Sequence, residues 1–274
     1  MEINGVSIED VRRLEEMLHK RIKGFESAGR KYSSHPEVYT RLYKKEDLLQ
    51  TLSRDEVEIL KKLMRKIIDH TLLRSDATRE QIDNLCREAC EYGFYSVCVN
   101  SCHVPYVKER LEGTSVRISA TVSFPLGAEL TKAKVCESVE AVRNGADELD
   151  MVINIGALKG GDYDHVYEEL KAIREEIGEE ICLKVILENC YLSQEEKVIG
   201  CLLSKYGGAD FVKTSTGFGS GGAEPDDIRL MRMVVGEAMG IKAAGGIRSF
   251  DTACEMVSAG ATRIGTSSSM KIIT

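Results

Sequence analysis

A parallel (β/α)8 barrel preceded by a helical extension is the architecture this 274-residue sequence predicts. Three observations predict it. From about residue 65 onward, eight short β-branched runs recur about 20 to 35 residues apart. Amphipathic helical stretches fill most of the gaps, the pattern of parallel strands joined by crossover helices. Eight such units in about 210 residues match a closed barrel near its lower size limit. The resulting division is a helical extension over 1–64 and the barrel over 65–274. A doubly wound open sheet is the structural rival.

The elements follow in order. Ser7-Ile8-Glu9-Asp10 reads as a capping signal that opens a helix through Val11, Leu14 and Leu18. The basic stretch at 28–45, with its tyrosines and serines, reads as loop or weak helix. Ser53 and Glu56 open a second helix through Val57, Leu60, Met64 and Ile67. These helices are expected to pack on the barrel or on a neighbouring subunit. The strand-like runs then fall at 66–69, 96–99, 117–122, 148–153, 183–188, 210–213, 241–244 and 263–266. The segment 81–90, with Ile82, Leu85 and Cys86 on one side, typifies the helices between them.

Composition excludes several classes. At 43% hydrophobic and 30% charged residues the chain is an ordinary globular protein. No apolar stretch approaches the ~18 residues of a membrane span, and Met1-Glu2-Ile3-Asn4-Gly5 lacks the basic and apolar regions of a signal peptide. A cytoplasmic location is expected. Nine cysteines, 86, 90, 98, 102, 136, 182, 190, 201 and 254, form no Cys-x-x-Cys pair and are expected to be reduced. The five histidines, 19, 35, 70, 103 and 165, show no metal-ligand spacing. Residues 1–66 carry a net charge of +3 and the remainder −10. An acidic body argues against nucleic-acid binding, while a few cations and backbone N–H groups can still make a pocket for an anionic substrate.

The chemistry concentrates on lysines. Lys213 and Lys242 each sit in a short apolar run followed by a Gly-rich turn. An ammonium on a buried strand is costly unless it is paired or loses its proton. A second cation nearby lowers an amine's pKa, which yields the free base that attacks a carbonyl. Lys184 precedes Lys213 by the same 29 residues that separate Lys213 from Lys242. Side chains alternate along a strand, so Lys184 shares a face with Ile186 and Glu188, and Lys213 with Phe211. With Asp150 on the fourth strand and Asp69 at the end of the first, the barrel mouth is expected to gather two carboxylates among three amines. The bland alternative turns these lysines outward between the helices, with their heads snorkelling to water.

These residues lie in segments that resemble the deoxyribose-phosphate aldolases, class I Schiff-base enzymes on a TIM barrel. The matching segments are 68–73 (IDHTLL), 97–100 (VCVN), 121–127 (TVSFPLG), 148–154 (ELDMVIN), 183–188 (LKVILE), 211–218 (FVKTSTGF), 241–248 (IKAAGGIR) and 265–268 (GTSS). They run in order through residues 65 to about 270, one per strand. The resemblance implies that Lys213 forms the Schiff base with a substrate aldehyde. It implies that Lys242 lowers the pKa of Lys213 and that Asp150 joins Lys242 in moving protons. Asp69 and Thr71 would bond substrate hydroxyls or order a water, Lys184 would add positive charge, and Cys98 would line the pocket. The implied reaction is reversible cleavage of 2-deoxy-D-ribose 5-phosphate to acetaldehyde and glyceraldehyde 3-phosphate, in deoxynucleoside breakdown. The iminium is itself the electron sink, so no metal or organic cofactor is expected. A homo-oligomer, dimer or tetramer, is expected as well.

The loops after the seventh and eighth strands of such barrels often hold phosphate. Gly245, Gly246 and Arg248, with Gly265, Ser267 and Ser268, are the candidate cradle, and Gly217 would extend it. Two departures from the family stand out. Some members carry lysine where this chain has Phe218, and some end in a tyrosine that this chain, ending Met270-Lys271-Ile272-Ile273-Thr274, lacks. Three alternatives remain open to the sequence. Gly217-Phe218-Gly219-Ser220-Gly221-Gly222 satisfies G-x-G-x-x-G, which raises a dinucleotide-binding oxidoreductase, but the next strand carries no acid for a ribose hydroxyl. The others are a Schiff-base barrel lyase or transaldolase acting on a different sugar phosphate, and a non-catalytic binding protein.

Overall fold

The computed structural model describes residues 2–23, 25, 36–45 and 51–274. A small hairpin, β1 (Glu2–Ile3) and β2 (Val6–Ser7), leads into α1 (Ile8–Arg21), α2 (Glu37–Leu42) and α3 (Arg54–Met64). The barrel strands follow as β3 (Ile68–Leu72), β4 (Ser96–Asn100), β5 (Arg117–Val122), β6 (Glu148–Val152), β7 (Cys182–Ile186), β8 (Phe211–Lys213), β9 (Gly240–Ala244) and β10 (Arg263–Thr266). The crossovers between them contain α4 (Arg79–Tyr92), α5 (Val104–Arg110), α6 (Thr131–Arg143), α7 (Ile155–Lys159), α8 (Tyr163–Ile177), α9 (Gln194–Tyr206), α10 (Pro225–Val235) and α11 (Phe250–Ala259), and α12 (Ser269–Ile273) ends the chain. All eight strands pair in parallel, and β10 closes the cylinder against β3. The open-sheet rival is thereby excluded.

Local chemistry sets the helix starts. Ser7 Oγ accepts from the Asp10 N–H at 3.2 Å while the Asp10 carboxylate accepts from the Ser7 N–H at 3.0 Å. Ser53 and Glu56 form the same reciprocal box at the head of α3. Each such cap stabilises its helix by ~1 kcal/mol. Part of the stretch read as loop or weak helix at 28–45 lies outside the described residues; α2 occupies the described part.

Two strand bounds differ from expectation. The first strand was expected at 66–69, but residues Arg65–Ile67 form a 3-10 turn that continues α3, and β3 runs Ile68–Leu72. Asp69 therefore sits at the second position of its strand rather than at the end, and Thr71 stands one step above it on the same face. The fifth strand was expected to reach residue 188, but it stops at Ile186. Glu188 takes a left-handed conformation (φ 57°) and turns its carboxylate to Thr216, away from the lysines.

The extension packs on the barrel's outer helices. On α1, Leu14 and Leu18 are buried, and Phe25 beyond it meets the Tyr206 ring of α9 at a tilt of 50°, 4.4 Å between ring centroids. The Leu42 carbonyl of α2 accepts from Ser258 Oγ of α11 at 3.1 Å. Inside the barrel, Phe211 fills the floor. It fits because Gly240 stands opposite, where a Cβ would come within 2.2 Å of the ring.

Candidate active site

The barrel interior is charged where most barrels stack aliphatic side chains. Asp150 is its centre. Asp150 Oδ2 accepts from Lys213 Nζ at 2.7 Å and from Lys242 Nζ at 2.6 Å, so the two amines share one oxygen. Asp150 Oδ1 accepts from Lys184 Nζ at 2.7 Å and from Ser119 Oγ at 2.9 Å. All three lysines face inward, as strand parity requires, and each is buried. The outward-facing alternative is thereby excluded.

The three lysines are not equivalent. Lys184 lies 2.7 Å from Glu148, 2.7 Å from Asp150 and 3.9 Å from Asp69. Lys242 pairs with both Asp69 and Asp150. Burial opposes both ammoniums, but these carboxylates outweigh it and hold both pKa values above the usual lysine range. Lys213 has Asp150 alone, and its pKa is lowered. Burial is the main cause; Asp150 pulls the other way and the Lys242 ammonium adds to the depression. Desolvation thus lowers it more than the neighbouring cation does. Asp150 would be raised by burial, but Lys184, Lys213 and Lys242 hold it well below the carboxylate range.

Lys213 stands at the top of this stack and opens into a cavity of 280 Å³. Thr71, Gly217, Phe218, Gly245, Gly246, Arg248, Gly265, Ser267 and Ser268 line it, so every residue of the candidate phosphate cradle meets there. Gly217, Gly245 and Gly246 have φ of +87°, +87° and +80°, conformations that other residues resist. Gly265 has another use as well: a Cβ there would come within 2.8 Å of Lys242 Cε, so its absence makes room for that side chain. A wider groove of 1030 Å³ lies along α9–α11, away from the lysines.

Some expected contacts move. Asp69, expected to bond substrate hydroxyls or order a water, and Lys184, expected to add positive charge, are both wholly buried and meet Lys242 and Asp150. Thr71 Oγ1 donates to the Asp69 carbonyl at 2.8 Å and remains at the cavity wall. Cys98, expected in the pocket lining, is buried outside the cavity wall; its Sγ is 4.0 Å from Asp150 Oδ2, and burial raises its thiol pKa. His70 points outward to Ser269 and Glu88.

Sequence reasoning missed Ser96, Ser119, Glu148, Arg263 and Phe124. Ser96 Oγ donates to Asp69 at 2.7 Å, and Ser119 Oγ accepts from Lys184 at 3.0 Å. The Phe124 ring lies 5.9 Å from Lys213 Nζ and meets Phe218 edge-on at 5.4 Å. Glu148 was findable, because it precedes Asp150 by two residues and must share its face. Ser96, two residues before Cys98, and Arg263, two before Gly265, were findable in the same way, whereas Ser119 and Phe124 offered no such pairing.

Comparison with known proteins supplies the family. The profile of the DeoC/LacD family aldolases matches residues 63–272. The chain belongs to that family. It is 54% identical over 210 residues to the deoxyribose-phosphate aldolase of Caldanaerobacter subterraneus subsp. tengcongensis, covering 76% of this chain and 91% of that one. It is 55% identical over 213 residues to the deoxyribose-phosphate aldolase of Aciduliprofundum boonei, covering 77% and 95%. Among solved structures, the tetrameric deoxyribose phosphate aldolase of Aeropyrum pernix superposes with a TM-score of 0.72 at 31% identity, covering 81% of this chain and 97% of that one. A Coccidioides immitis chain superposes at 0.76 and 36% identity over 98% and 97%, so the likeness extends into the extension. Among the described residues, no cluster of His, Cys, Asp and Glu is arranged to hold a metal. The G-x-G-x-x-G segment follows β8 of a closed barrel, not the first strand of an open sheet, and its Gly222 packs on Gly245, where a Cβ would meet the carbonyl oxygen at 2.4 Å.

Proposed function

We propose that this aldolase cleaves 2-deoxy-D-ribose 5-phosphate reversibly to acetaldehyde and D-glyceraldehyde 3-phosphate through an imine on Lys213. One observation carries the reading: among the three interior lysines, Lys213 alone has a lowered pKa and alone lines the cavity. A neutral amine there adds to the C1 aldehyde, and loss of water from the carbinolamine gives the iminium. Removing the C3 hydroxyl proton then breaks the C2–C3 bond. The electron pair flows into the iminium to form an enamine, and glyceraldehyde 3-phosphate leaves. Protonation at C2 and hydrolysis release acetaldehyde and restore the amine. Asp150 and Lys242, joined at 2.6 Å, are the pair that supplies and takes these protons.

The glycines 217, 245, 246 and 265, with Arg248, Ser267 and Ser268, hold the 5-phosphate, and Thr71 shapes the wall. Asp69 and Lys184 keep Lys242 and Asp150 charged. A homo-oligomer is the assembly proposed, in line with the tetrameric Aeropyrum pernix relative, and light scattering on the eluted protein tests it. The reading also places the enzyme in the cytoplasm; no helix among the described residues is long and apolar enough to cross a membrane.

The test is borohydride reduction in the presence of substrate, followed by peptide mass mapping. An adduct on Lys213, lost together with activity in Lys213→Ala, supports the mechanism. An adduct elsewhere, or a Lys213→Ala protein of unchanged activity, rejects it.

A further inference from the structure

Arg263 and Glu148, which the proposed chemistry does not use, lie directly beneath the amine cluster. Arg263 opens β10 and is 3% exposed. Its Nη1 donates to Asp69 Oδ1 at 3.0 Å and to Glu148 Oε2 at 2.9 Å. Its guanidinium sits 3.7 Å from the Tyr95 ring centroid. Glu148 Oε2 also faces Lys184 Nζ at 2.7 Å, and its Oε1 accepts from Tyr95 OH at 3.2 Å. The two carboxylates that Arg263 touches are therefore those that also hold Lys242 and Lys184.

The interior charges can be weighed against one another. Four cations, Lys184, Lys213, Lys242 and Arg263, face three carboxylates, Asp69, Glu148 and Asp150, all buried. The charged groups around the same end of the barrel, Lys66, Arg117, Glu179 and Glu180, are exposed, so water screens them; the buried titratable neighbours add no charge near neutrality. Burial pushes the Tyr95 phenol up to about 12, and it raises the Cys98 and Cys182 thiols. Farther out, Asp210 pairs with Arg174, and Glu188 is bonded to Thr216. A guanidinium does not give up its proton. Three carboxylates offset three cations, and a buried fourth is left uncompensated. It falls on the lysine with fewest carboxylates, which is Lys213.

We propose that Arg263 and Glu148 are positioning residues that set the charge state of Lys213 by this balance: Arg263 occupies carboxylate charge that would otherwise hold a proton on the nucleophile, and Glu148 relieves Asp150 of part of Lys184. The inference rests on the reading of Lys213 as the nucleophile. Without Arg263, three acids meet three lysines, and Lys213 keeps its proton to higher pH. Without the Glu148 charge, Lys184 leans harder on Asp150, and Lys213 loses its proton at lower pH.

The experiment measures the rate at which cyanoborohydride traps acetaldehyde on Lys213 across pH, with the kcat/KM profile alongside. In Arg263→Gln the acid limb moves up by about one pH unit, so trapping on that limb slows about tenfold. In Glu148→Gln it moves down, and Arg263→Lys returns it towards the parent position. A purely structural role would lower the rate at every pH and leave the limb in place. Unmoved limbs in the folded variants, or limbs displaced in the same direction, overturn the proposal; if Arg263→Gln does not fold, Glu148→Gln decides alone. Absence of any adduct on Lys213 in the parent enzyme would instead reject the Schiff-base reading, and this inference with it.

Discussion

Replacing Asp150 with asparagine separates the roles of the central carboxylate. The amide keeps the shape but removes the charge that two amines share at Oδ2, 2.7 and 2.6 Å away, and that Lys184 meets at Oδ1, 2.7 Å away. Breaking a buried ion pair from one side costs about 3–5 kcal/mol, which for a chain of this size lowers Tm by about 10 °C. Loss of a general acid–base group costs about 10²–10⁴ in rate. The pH dependence has a definite sign. Asp150 raises the Lys213 pKa, so without it that pKa falls further, and the acid limb of kcat/KM moves to lower pH while the plateau drops. Coupled detection of glyceraldehyde 3-phosphate across pH, with calorimetry on the same preparations, measures both. Activity within about tenfold of the parent, with an unmoved limb, would refute the assignment of Asp150 as the proton-transfer hub.

Further outcomes follow from the same geometry. Phe218 stands exposed at the cavity wall beside the candidate phosphate cradle. Phe218→Lys should raise the preference for phosphorylated over unphosphorylated aldehyde about tenfold, the worth of one charge-assisted hydrogen bond, read as a ratio of kcat/KM values. Leu42 is fully buried where α2 meets α11, and Leu42→Ala should cost about 2–5 kcal/mol in urea unfolding. Lys134 and Glu169 pair at 2.7 Å with neither side chain exposed, so Lys134→Met should lose about 3–5 kcal/mol by the same measurement. Burial opposes ionisation of Asp69, Glu148 and Asp150, yet their cations hold all three pKa values down. Their stabilisation is complete above the unfolded-state values of about 4 and is lost as pH falls through the folded ones, so the urea midpoint should fall on the acid side.

The repeat of strand and helix was legible in local sequence because side-chain periodicity and capping act over a few residues. Ser7 with Asp10 and Ser53 with Glu56 cap the helices that they were expected to cap. Strand parity correctly turned Lys184, Lys213 and Lys242 to one side. Strand ends were less legible: β3 begins late because α3 tightens into a 3-10 turn, and β7 ends early where Glu188 turns out of the ladder. Both depend on what packs around the segment.

The sequence by itself determined the alternation of elements, the face each lysine takes and the family motifs. Only the closed tertiary structure decided which lysine is the odd one out. Asp69, Glu148, Asp150 and Arg263 come from three strands far apart in the chain, and closure of β10 on β3 brings Asp69 to Arg263. A pKa follows from burial and from charges a few ångströms away in space, and those distances exist only once the cylinder has closed.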